Sequence, residues 1–363
     1  MRLGVEAAMV GGALIRGDVE VADGTIARTG IPGNNGRGIA TPGFVDLQVN
    51  GFAGVDFLTA DADGYRRAGE ALLETGVTAY LPTFISTPEE QLLAALNGVP
   101  IDPEGPRILG VHLEGPFVAK NRLGIHPPSA RRDPDPALLE RLLAAGPVRL
   151  MTLAPELPGA GAIIDLLLER GVAVSCGHTD ATAEQAAEAF DRGARSVTHL
   201  FNAMRPFRHR DPGLAGAALA RDDVVVQIIL DGVHLAEETG RVVWHAAAGR
   251  VALVTDAVAG AGMGDGAYLL GGFEVEVRDG VARGPDGVLA GSALTMIEAV
   301  RNLHALGVPL TEVLAAASAV PARVVGLPTL GRLDAGLPAD IVVLDDNLEI
   351  DRVLVGGKAH VVA

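Results

Sequence analysis

Four acidic or imidazole side chains stand where apolar runs of this sequence end. Glu114 closes one apolar run, His178 and His199 follow two later runs, and Asp256 follows a fourth run. A glutamate and two histidines make a three-ligand set that leaves the fourth position of a zinc-like ion open, as catalytic sites do. Such an ion lowers the pKa of a bound water to about 7, and a neighbouring aspartate can take the proton and pass it to a leaving group. Each residue alone could be a satisfied polar group at a strand end, but the four together favour a metal site.

The elements that must position these residues alternate along the chain. Short, almost purely apolar runs alternate with helical segments such as Asp133–Ala145 and Thr182–Arg192, which predicts an α/β fold with buried parallel strands. Eight such units predict a TIM (β/α)8 barrel, whose strands present their carboxyl ends on one face. A doubly wound sheet is the alternative, but it would need fewer strands and a glycine-rich first turn. The predicted strands are Thr41–Asn50, Val77–Thr83, Arg107–Leu113, Val148–Ala154, Val172–Gly177, Ser196–Leu200, Val224–Leu230 and Val251–Thr255.

The two ends of the chain have a hairpin-like pattern, with turn residues between short alternating runs. Neither end is large enough to be stable by itself. We therefore expect residues 1–40 and 331–363 to form one small β-sandwich beside a barrel of residues 41–330, with a further hairpin over Gly271–Gly287. The turn signals at the ends are Gly17-Asp18, Asp23-Gly24, Asp345-Asp346-Asn347 and Gly356-Gly357.

Composition narrows the class of protein and of ligand. The 363 residues carry 29 Lys plus Arg against 45 Asp plus Glu, and the resulting net charge of −16 disfavours binding to nucleic acid or to an anionic membrane. The single cysteine excludes an internal disulfide and a cysteine-based zinc cage. Apolar runs are too short to cross a bilayer, and none follows Met1 as a signal segment would, so we expect a soluble, cytoplasmic protein.

Five motifs follow one another along the chain: Thr41-Pro-Gly-Phe-Val-Asp-Leu-Gln-Val-Asn-Gly51, His112-Leu-Glu-Gly-Pro-Phe117, Gly177-His-Thr179, Thr198-His-Leu-Phe-Asn-Ala-Met204 and Leu253-Val-Thr-Asp-Ala257. A closing segment, Gly331-Arg-Leu-Asp-Ala-Gly-Leu-Pro-Ala-Asp340, leads into Ile-Val-Val-Leu-Asp345. Over essentially the whole chain these motifs resemble the N-acetylglucosamine-6-phosphate deacetylases of the amidohydrolase superfamily. The resemblance implies hydrolysis of the acetamide of N-acetyl-D-glucosamine 6-phosphate to D-glucosamine 6-phosphate and acetate.

The resemblance also implies roles for the four strand-end residues. Glu114, His178 and His199 correspond to the family's metal ligands, and Asp256 corresponds to its catalytic acid and base. We expect one divalent metal ion per subunit, with zinc preferred and iron, manganese or cobalt as alternatives.

Further positions correspond to family residues that contact the substrate. His234 would polarise the amide carbonyl, and Arg210 would reach the phosphate across a dimer interface, so the resemblance implies a homodimer. Arg210 ends the densest basic stretch of this acidic chain, and arginine suits a phosphate through paired hydrogen bonds. The implied substrate contacts are Gln48, which lies near the water, His126, Asn202, Ala203, Arg210 and His234.

One position departs from the wider superfamily. Most binuclear amidohydrolases end their first strand with His-x-His, whereas this chain has Gln48 and Asn50, whose amides are poor ligands for a zinc-like ion. The lysines, Lys120 and Lys358, do not end a strand, so no carbamylated bridging ligand is expected. His112 shares the strand face of Glu114, and we expect it to support the site rather than to bind metal.

Two alternatives to the glucosamine substrate remain. The same scaffold would suit N-acetylgalactosamine 6-phosphate or another N-acetylated sugar phosphate, because the contacts to the ring hydroxyls lie in loops. The other alternative is a relative that binds a sugar phosphate without turnover, although an intact ligand set beside Asp256 disfavours it.

Overall fold

The computed structural model describes residues 1–32, 36–101 and 105–361. Its strands are β1 Ala7–Val10, β2 Ala13–Arg16, β3 Asp18–Ala22, β4 Thr25–Ile31, β5 Ile39–Pro42, β6 Phe44–Val49, β7 Gly51–Phe52, β8 Val55–Asp56, β9 Val77–Ile85, β10 Arg107–Ile108, β11 Val111–Glu114, β12 Val148–Leu153, β13 Ala173–Cys176, β14 Ser196–Val197, β15 Val225–Ile228, β16 Val251–Leu253, β17 Gly266–Leu270, β18 Phe273–Arg278, β19 Val281–Arg283, β20 Ile341–Leu344, β21 Ile350–Val355 and β22 Lys358–Val361. Its helices are α1 Ala62–Glu74, α2 Glu89–Gly98, α3 Pro136–Ala145, α4 Ala160–Glu169, α5 Ala183–Arg192, α6 Gly213–Leu219, α7 Glu237–Ala247, α8 Met296–Ala305, α9 Leu310–Ala316 and α10 Ala319–Val324.

Eight parallel strands form the predicted barrel, in the order β6, β9, β11, β12, β13, β14, β15 and β16. The ring closes between β16 and β6 through a parallel bridge from Val49 to Ala257 and through the Asp256 amide, which donates to the Gln48 carbonyl over 2.9 Å. Most residues of these strands are buried, as expected for a parallel sheet covered on both faces. The barrel prediction is confirmed.

The predicted strand Thr41–Asn50 is in fact two strands in different sheets. β5 pairs outside the barrel and β6 pairs inside it, and Gly43 lies between them. A Cβ at Gly43 would lie 2.0 Å from Thr78 Oγ1 on β9, so only glycine lets the chain pass this close to the barrel wall.

Capping side chains set the beginnings of several helices. Thr182 accepts from the Gln185 amide while the Gln185 side chain accepts from the Thr182 amide, which starts α5 with a capping box. Asp135 caps α3 just before a proline, two residues after the beginning that the segment Asp133–Ala145 predicts. None of the helices that the structure describes is long and apolar enough to cross a membrane.

The two chain ends meet in a six-stranded sheet with the order β2-β1-β5-β20-β21-β22. The β3–β4 hairpin adds a second layer, and Val19, Ile26, Ile341 and Leu354 belong to the small core between them. The bounds of this unit, residues 1–40 and 331–363, and of the barrel, residues 41–330, stay a prediction.

The predicted turn at Gly17-Asp18 is wrong as a hairpin turn. β1 and β2 turn at Gly11-Gly12, and Gly17 instead carries the chain from this sheet into the β3–β4 hairpin. The buried Asp18 carboxylate fixes that crossing, because it accepts hydrogen bonds from the amides of Gly4, Val5 and Val19.

A three-stranded antiparallel arm, β17-β18-β19, lies between barrel strand β16 and α8. It begins at Gly266, earlier than the hairpin predicted over Gly271–Gly287, and turns at Gly271-Gly272. Leu270 and Val275 of the arm pack with Ile85 and Val258 of the barrel rim. The arm therefore covers one side of the face at which the strands end.

Candidate active site

Three buried side chains converge on one point at the carboxyl ends of β11, β13 and β14. Glu114 Oε1 lies 3.0 Å from His178 Nε2 and 2.9 Å from His199 Nε2, and the two imidazole nitrogens are 3.1 Å apart. Ligands of a tetrahedral zinc ion lie about 3.3 Å from one another when each bond is about 2.0–2.1 Å. In the part of the chain that the structure describes, this is the one group of acidic, imidazole or thiol side chains that could hold a metal ion.

The backbone at these strand ends is strained in a common way. His178, His199 and Asp256 have φ values of 47°, 30° and 52°, in the left-handed region that residues with a Cβ seldom adopt. Each residue follows its strand within a few positions, and the turn directs its side chain toward the barrel axis. Strain of this kind concentrates at functional sites, where the surrounding structure has to hold it in place.

The hydrogen bonds around Glu114 and His178 prepare them for a cation. His178 Nδ1 lies 2.9 Å from the Arg122 carbonyl, which can only accept, so Nδ1 carries the proton and Nε2 keeps its lone pair. Burial acts to raise the pKa of Glu114, but the surrounding imidazoles of His126, His178 and His199 outweigh it and hold that pKa well below its usual range. An anionic oxygen and two imidazole nitrogens aimed at one point fit the divalent ion expected from the sequence.

Gln48 and Asn50 direct their amide groups at carboxylates. Gln48 Nε2 donates to Glu114 Oε1 over 3.1 Å and to Asp256 Oδ1 over 3.0 Å, and Asn50 Nδ2 donates to Asp256 Oδ1 over 2.7 Å. In this arrangement the two residues hold the anionic groups in place rather than supply ligand atoms. This arrangement supports the expectation of a single metal ion.

Asp256 has one oxygen held and one oxygen free. Oδ1 accepts both amide hydrogen bonds, whereas Oδ2 accepts none from the described residues and faces the cavity. Burial, together with the nearby Glu114 carboxylate, raises the pKa of Asp256 to about 6. A positive ion beside it would lower this value, so the free oxygen is suited to take a proton near neutral pH.

His234 forms a pair with Asp231 on the loop after β15. The Nδ1 atom of His234 lies 2.7 Å from Asp231 Oδ2, and the amides of Val233 and His234 donate to Asp231 Oδ1. Burial acts to raise the pKa of Asp231, but its hydrogen bonds and the charge of His234 lower it below the usual value. The His234–Asp231 pair does not use His234 Nε2, which stays available to a molecule in the cavity.

His126 is oriented by a residue that sequence reasoning missed. The Ser86 amide donates to His126 Nδ1 over 3.2 Å, so the ring proton lies on Nε2, which has no hydrogen-bond partner among the described residues. That nitrogen is 3.7 Å from Glu114 Oε2. His126 is therefore a donor without an acceptor at the cavity wall.

The cavity beside these groups has a volume of about 280 Å³. Glu114, His178, His199 and Asp256 lie on its polar side, and His126, Asn202, Ala203 and His234 also line it. Ile85, Ile125, Leu270, Val288 and Leu289 form an apolar side, partly from the arm. A small molecule with one polar and one apolar face fits such a site.

Arg210 is the predicted site residue that the structure does not bring to the cavity of its own chain. It lies at the exposed tip of a tight hairpin closed by the Arg208–Asp211 bridge, and it forms no ion pair with the described residues. Its neighbour Arg205 is instead tied to Asp211 and Asp180. Arg210 is therefore not among the residues that line the cavity of its own chain.

Two of the residues that shape the site were not assigned a role from the sequence. Ser86 follows the end of β9, and nothing in its surrounding sequence links it to His126. Asp231 was detectable in principle, because an aspartate three residues before a histidine forms the side chain–backbone turn that is observed here.

Comparison with known proteins shows which family the chain belongs to. The family model described as Amidohydrolase family matches residues 39–360. The chain is similar to the N-acetylglucosamine-6-phosphate deacetylase of Homo sapiens, with 39% identity over 342 residues that cover 89% of this chain and 83% of the relative. It is also similar to the N-acetylgalactosamine-6-phosphate deacetylase of Escherichia coli O157:H7, with 36% identity over 325 residues, 87% of this chain and 86% of the relative.

A solved structure is similar over nearly the full length of both chains. It is an Asp-to-Ala mutant of the N-acetyl-D-glucosamine-6-phosphate deacetylase from Mycobacterium smegmatis, in complex with N-acetyl-D-glucosamine-6-phosphate. The TM-score is 0.93 at 37% identity, and the match covers 99% of this chain and 98% of the other. The resemblance that the motifs indicate is confirmed by these matches, and the chain belongs to the amidohydrolase family.

Proposed function

We propose that this enzyme hydrolyses the acetamide of N-acetyl-D-glucosamine 6-phosphate to D-glucosamine 6-phosphate and acetate. The observation that carries the proposal is the convergence of Glu114, His178 and His199 beside the free oxygen of Asp256, in a cavity open to a small molecule. The similar structure that holds N-acetyl-D-glucosamine-6-phosphate supports this choice of substrate.

Glu114, His178 and His199 would hold one divalent ion, and zinc is the preferred identity over iron, manganese and cobalt. When bound, the ion would lower the pKa of a water molecule and polarise the amide carbonyl. Gln48 and Asn50 keep Glu114 and Asp256 in position through their amide hydrogen bonds.

Asp256 moves the proton in this mechanism. Its free Oδ2 takes a proton from the attacking water and returns it to the sugar nitrogen as the carbon–nitrogen bond breaks. The second proton of the water passes from the new carboxyl group to the amine, so the products are acetate and the sugar ammonium group, and atoms and charge balance without a further reactant. With its Nδ1 paired to the Asp231 carboxylate, His234 would as an imidazolium donate from Nε2 to the carbonyl oxygen as negative charge develops there.

The substrate would be held by donors around the cavity. His126 offers the unpartnered Nε2 proton, and the turn at Asn202 and Ala203 offers backbone and side-chain groups for the sugar phosphate. We place the enzyme in the cytoplasm, because a charged sugar phosphate does not leave the compartment in which it is made.

The experiment that tests this function is acetate release from the two epimeric substrates, assayed side by side on one preparation of known metal content. We expect turnover of N-acetylglucosamine 6-phosphate, with the galactosamine epimer clearly slower in kcat/KM. Faster turnover of the epimer would favour the activity named for the Escherichia coli O157:H7 relative. No acetate from either, or from other N-acetylated sugar phosphates, at full metal content would favour a relative that binds without turnover.

Arg210 leads to a prediction about assembly. We propose a homodimer in which Arg210 of one copy reaches the phosphate in the neighbouring active site, since Arg210 is exposed and does not line its own cavity. Arg210→Ala and Asp256→Asn proteins, each nearly inactive alone, should then partly restore acetate release when mixed, because a mixed dimer contains one intact site. Arg221→Ala, on the outer face and paired with Asp191 and Asp223, is the matched control and should leave activity unchanged. Absence of restoration after confirmed subunit exchange would contradict the arrangement.

A further inference from the structure

A row of buried polar side chains crosses the barrel interior beside the candidate metal ligands. His112 Nε2 lies 2.7 Å from Thr152 Oγ1, Thr152 Oγ1 lies 2.7 Å from Thr198 Oγ1, and Thr198 Oγ1 lies 2.6 Å from Ser175 Oγ. Gln227 Nε2 extends the row, 3.5 Å from Ser175 Oγ. All five residues are completely buried. Bulky apolar side chains are the usual filling of a barrel interior, so a polar row needs an explanation.

The chemistry of the groups gives the row one direction. His112 Nδ1 lies 3.1 Å from the Leu47 carbonyl, which can only accept, so in the neutral ring Nδ1 carries the proton and Nε2 accepts. Thr152 must then donate to His112, Thr198 to Thr152, and Ser175 to Thr198. The Gln227 amide donates at the far end. Each hydroxyl donates once and accepts once, so a single proton arrangement satisfies the three hydroxyls and the His112 ring.

Members of the row, or their hydrogen-bond partners, are close neighbours of site residues along the chain. Thr198 directly precedes His199, His112 is two residues before Glu114 on the same strand face, and Leu47 directly precedes Gln48. The row therefore links the strands of Gln48, Glu114 and His199 at the level where the side chains diverge toward the cavity. The link matters most for His199. Its own Nδ1 has no hydrogen-bond partner among the described residues, so no hydrogen bond at that atom orients the ring.

We propose that His112, Thr152 and Thr198 are positioning residues, which fix the spacing of Glu114 and His199 and so set the affinity of the site for its metal ion. The proposal rests on the proposed function only in taking these residues as metal ligands. Groups that orient metal ligands usually change metal affinity by about 10–100-fold when they are removed.

Thr198 offers a matched pair of variants. Thr198→Val keeps the shape of the side chain and breaks the row, whereas Thr198→Ser keeps the hydroxyl. We expect Thr198→Val to raise the zinc dissociation constant about 10–100-fold and to lower kcat with little change in KM, while Thr198→Ser stays close to the parent protein. The dissociation constant is measured by competition with a chromophoric chelator. Thr78→Val, also buried in a barrel strand but bonded to the Phe44 carbonyl at the opposite end, is the control and should not change zinc affinity.

Two outcomes would overturn the proposal. One is a Thr198→Val protein that folds and binds zinc as tightly as the parent. The other is seen without any substitution, in the imidazole ¹H–¹⁵N spectrum of the unaltered protein, where the proposal requires the His112 proton on Nδ1 and an accepting Nε2. A proton on Nε2 would break the directed row even if the variants do not fold. Failure of the proposed function would appear separately, as absent acetate release from a parent protein that binds zinc.

Discussion

Asp256→Asn is expected to lower kcat by about 10²–10⁴-fold, the usual contribution of a general acid–base group. Asparagine can still present an oxygen to the Gln48 and Asn50 amides, so the geometry on the Oδ1 side is preserved. What is lost is the second carboxylate oxygen, which faces the cavity and is the only part of the side chain placed to exchange a proton with a substrate. Single-turnover acetate release, with metal content measured on the same sample, checks this expectation.

The control for this variant is Asp18→Asn. Asp18 is as deeply buried but lies in the β3–β4 region, where its carboxylate accepts from backbone amides far from the cavity. It should lower thermal stability without a comparable effect on kcat. Near-normal turnover by Asp256→Asn at full metal content would show that another group moves the proton.

Removal of the metal ion is the second large effect that we expect. Chelation should abolish acetate release, and about one zinc ion per chain should restore it, because only one converging ligand group exists in the described residues. His199→Asn should bind less than 0.1 metal ion per chain at zinc levels that saturate the parent, and it should lose at least about 10³-fold in kcat/KM, since two remaining ligands do not make a zinc site. Elemental analysis and the acetate assay measure both quantities.

His245→Asn is the matched control for the ligand variant. His245 is exposed on α7 and remote from the strand ends, so its replacement should leave metal content and activity unchanged. Two ions per chain in the parent, or activity that survives complete chelation, would contradict the single-metal arrangement held by Glu114, His178 and His199. A metal-loaded parent should also melt at a higher temperature than the chelated protein, because the ion binds the folded state.

The fold was predictable because barrel strands buried on both faces form uninterrupted apolar runs, and such runs end where polar residues begin. The barrel topology also predicted that four side chains converge at the rim, namely those of Glu114, His178, His199 and Asp256. The register and the turns could not be predicted from the sequence. The close passage of the chain at Gly43 depends on Thr78 of another strand. The crossing at Gly17 depends on backbone amides that Asp18 contacts only in the folded chain. These are long-range contacts, and local sequence carries no signal for them.

Long-range contacts also explain which features of the site could not be predicted from the sequence. The orientation of His126 is set by Ser86, forty residues earlier in the chain, and no local pattern connects the two. Gln48 and Asn50 were identifiable as poor ligands from their chemistry, but their donation to Glu114 and Asp256 required the positions of three strands. In the proposed homodimer Arg210 would act in a second copy of the chain, and the fold of one copy does not test that role.

The pairing of β5 with both β1 and β20 ties barrel assembly to the order of synthesis. β20 is made after every barrel strand, so the sheet that anchors β5 remains incomplete while the barrel sequence leaves the ribosome. Only Gly43 separates β5 from β6, the strand that carries Gln48. The first barrel strand therefore receives its final support from a segment that is made after the whole barrel, and the nascent protein carries an open sheet edge, which is prone to aggregation, until then. Catalytic competence and protection from aggregation should thus be acquired together, once β20 has been made, rather than as each barrel strand appears.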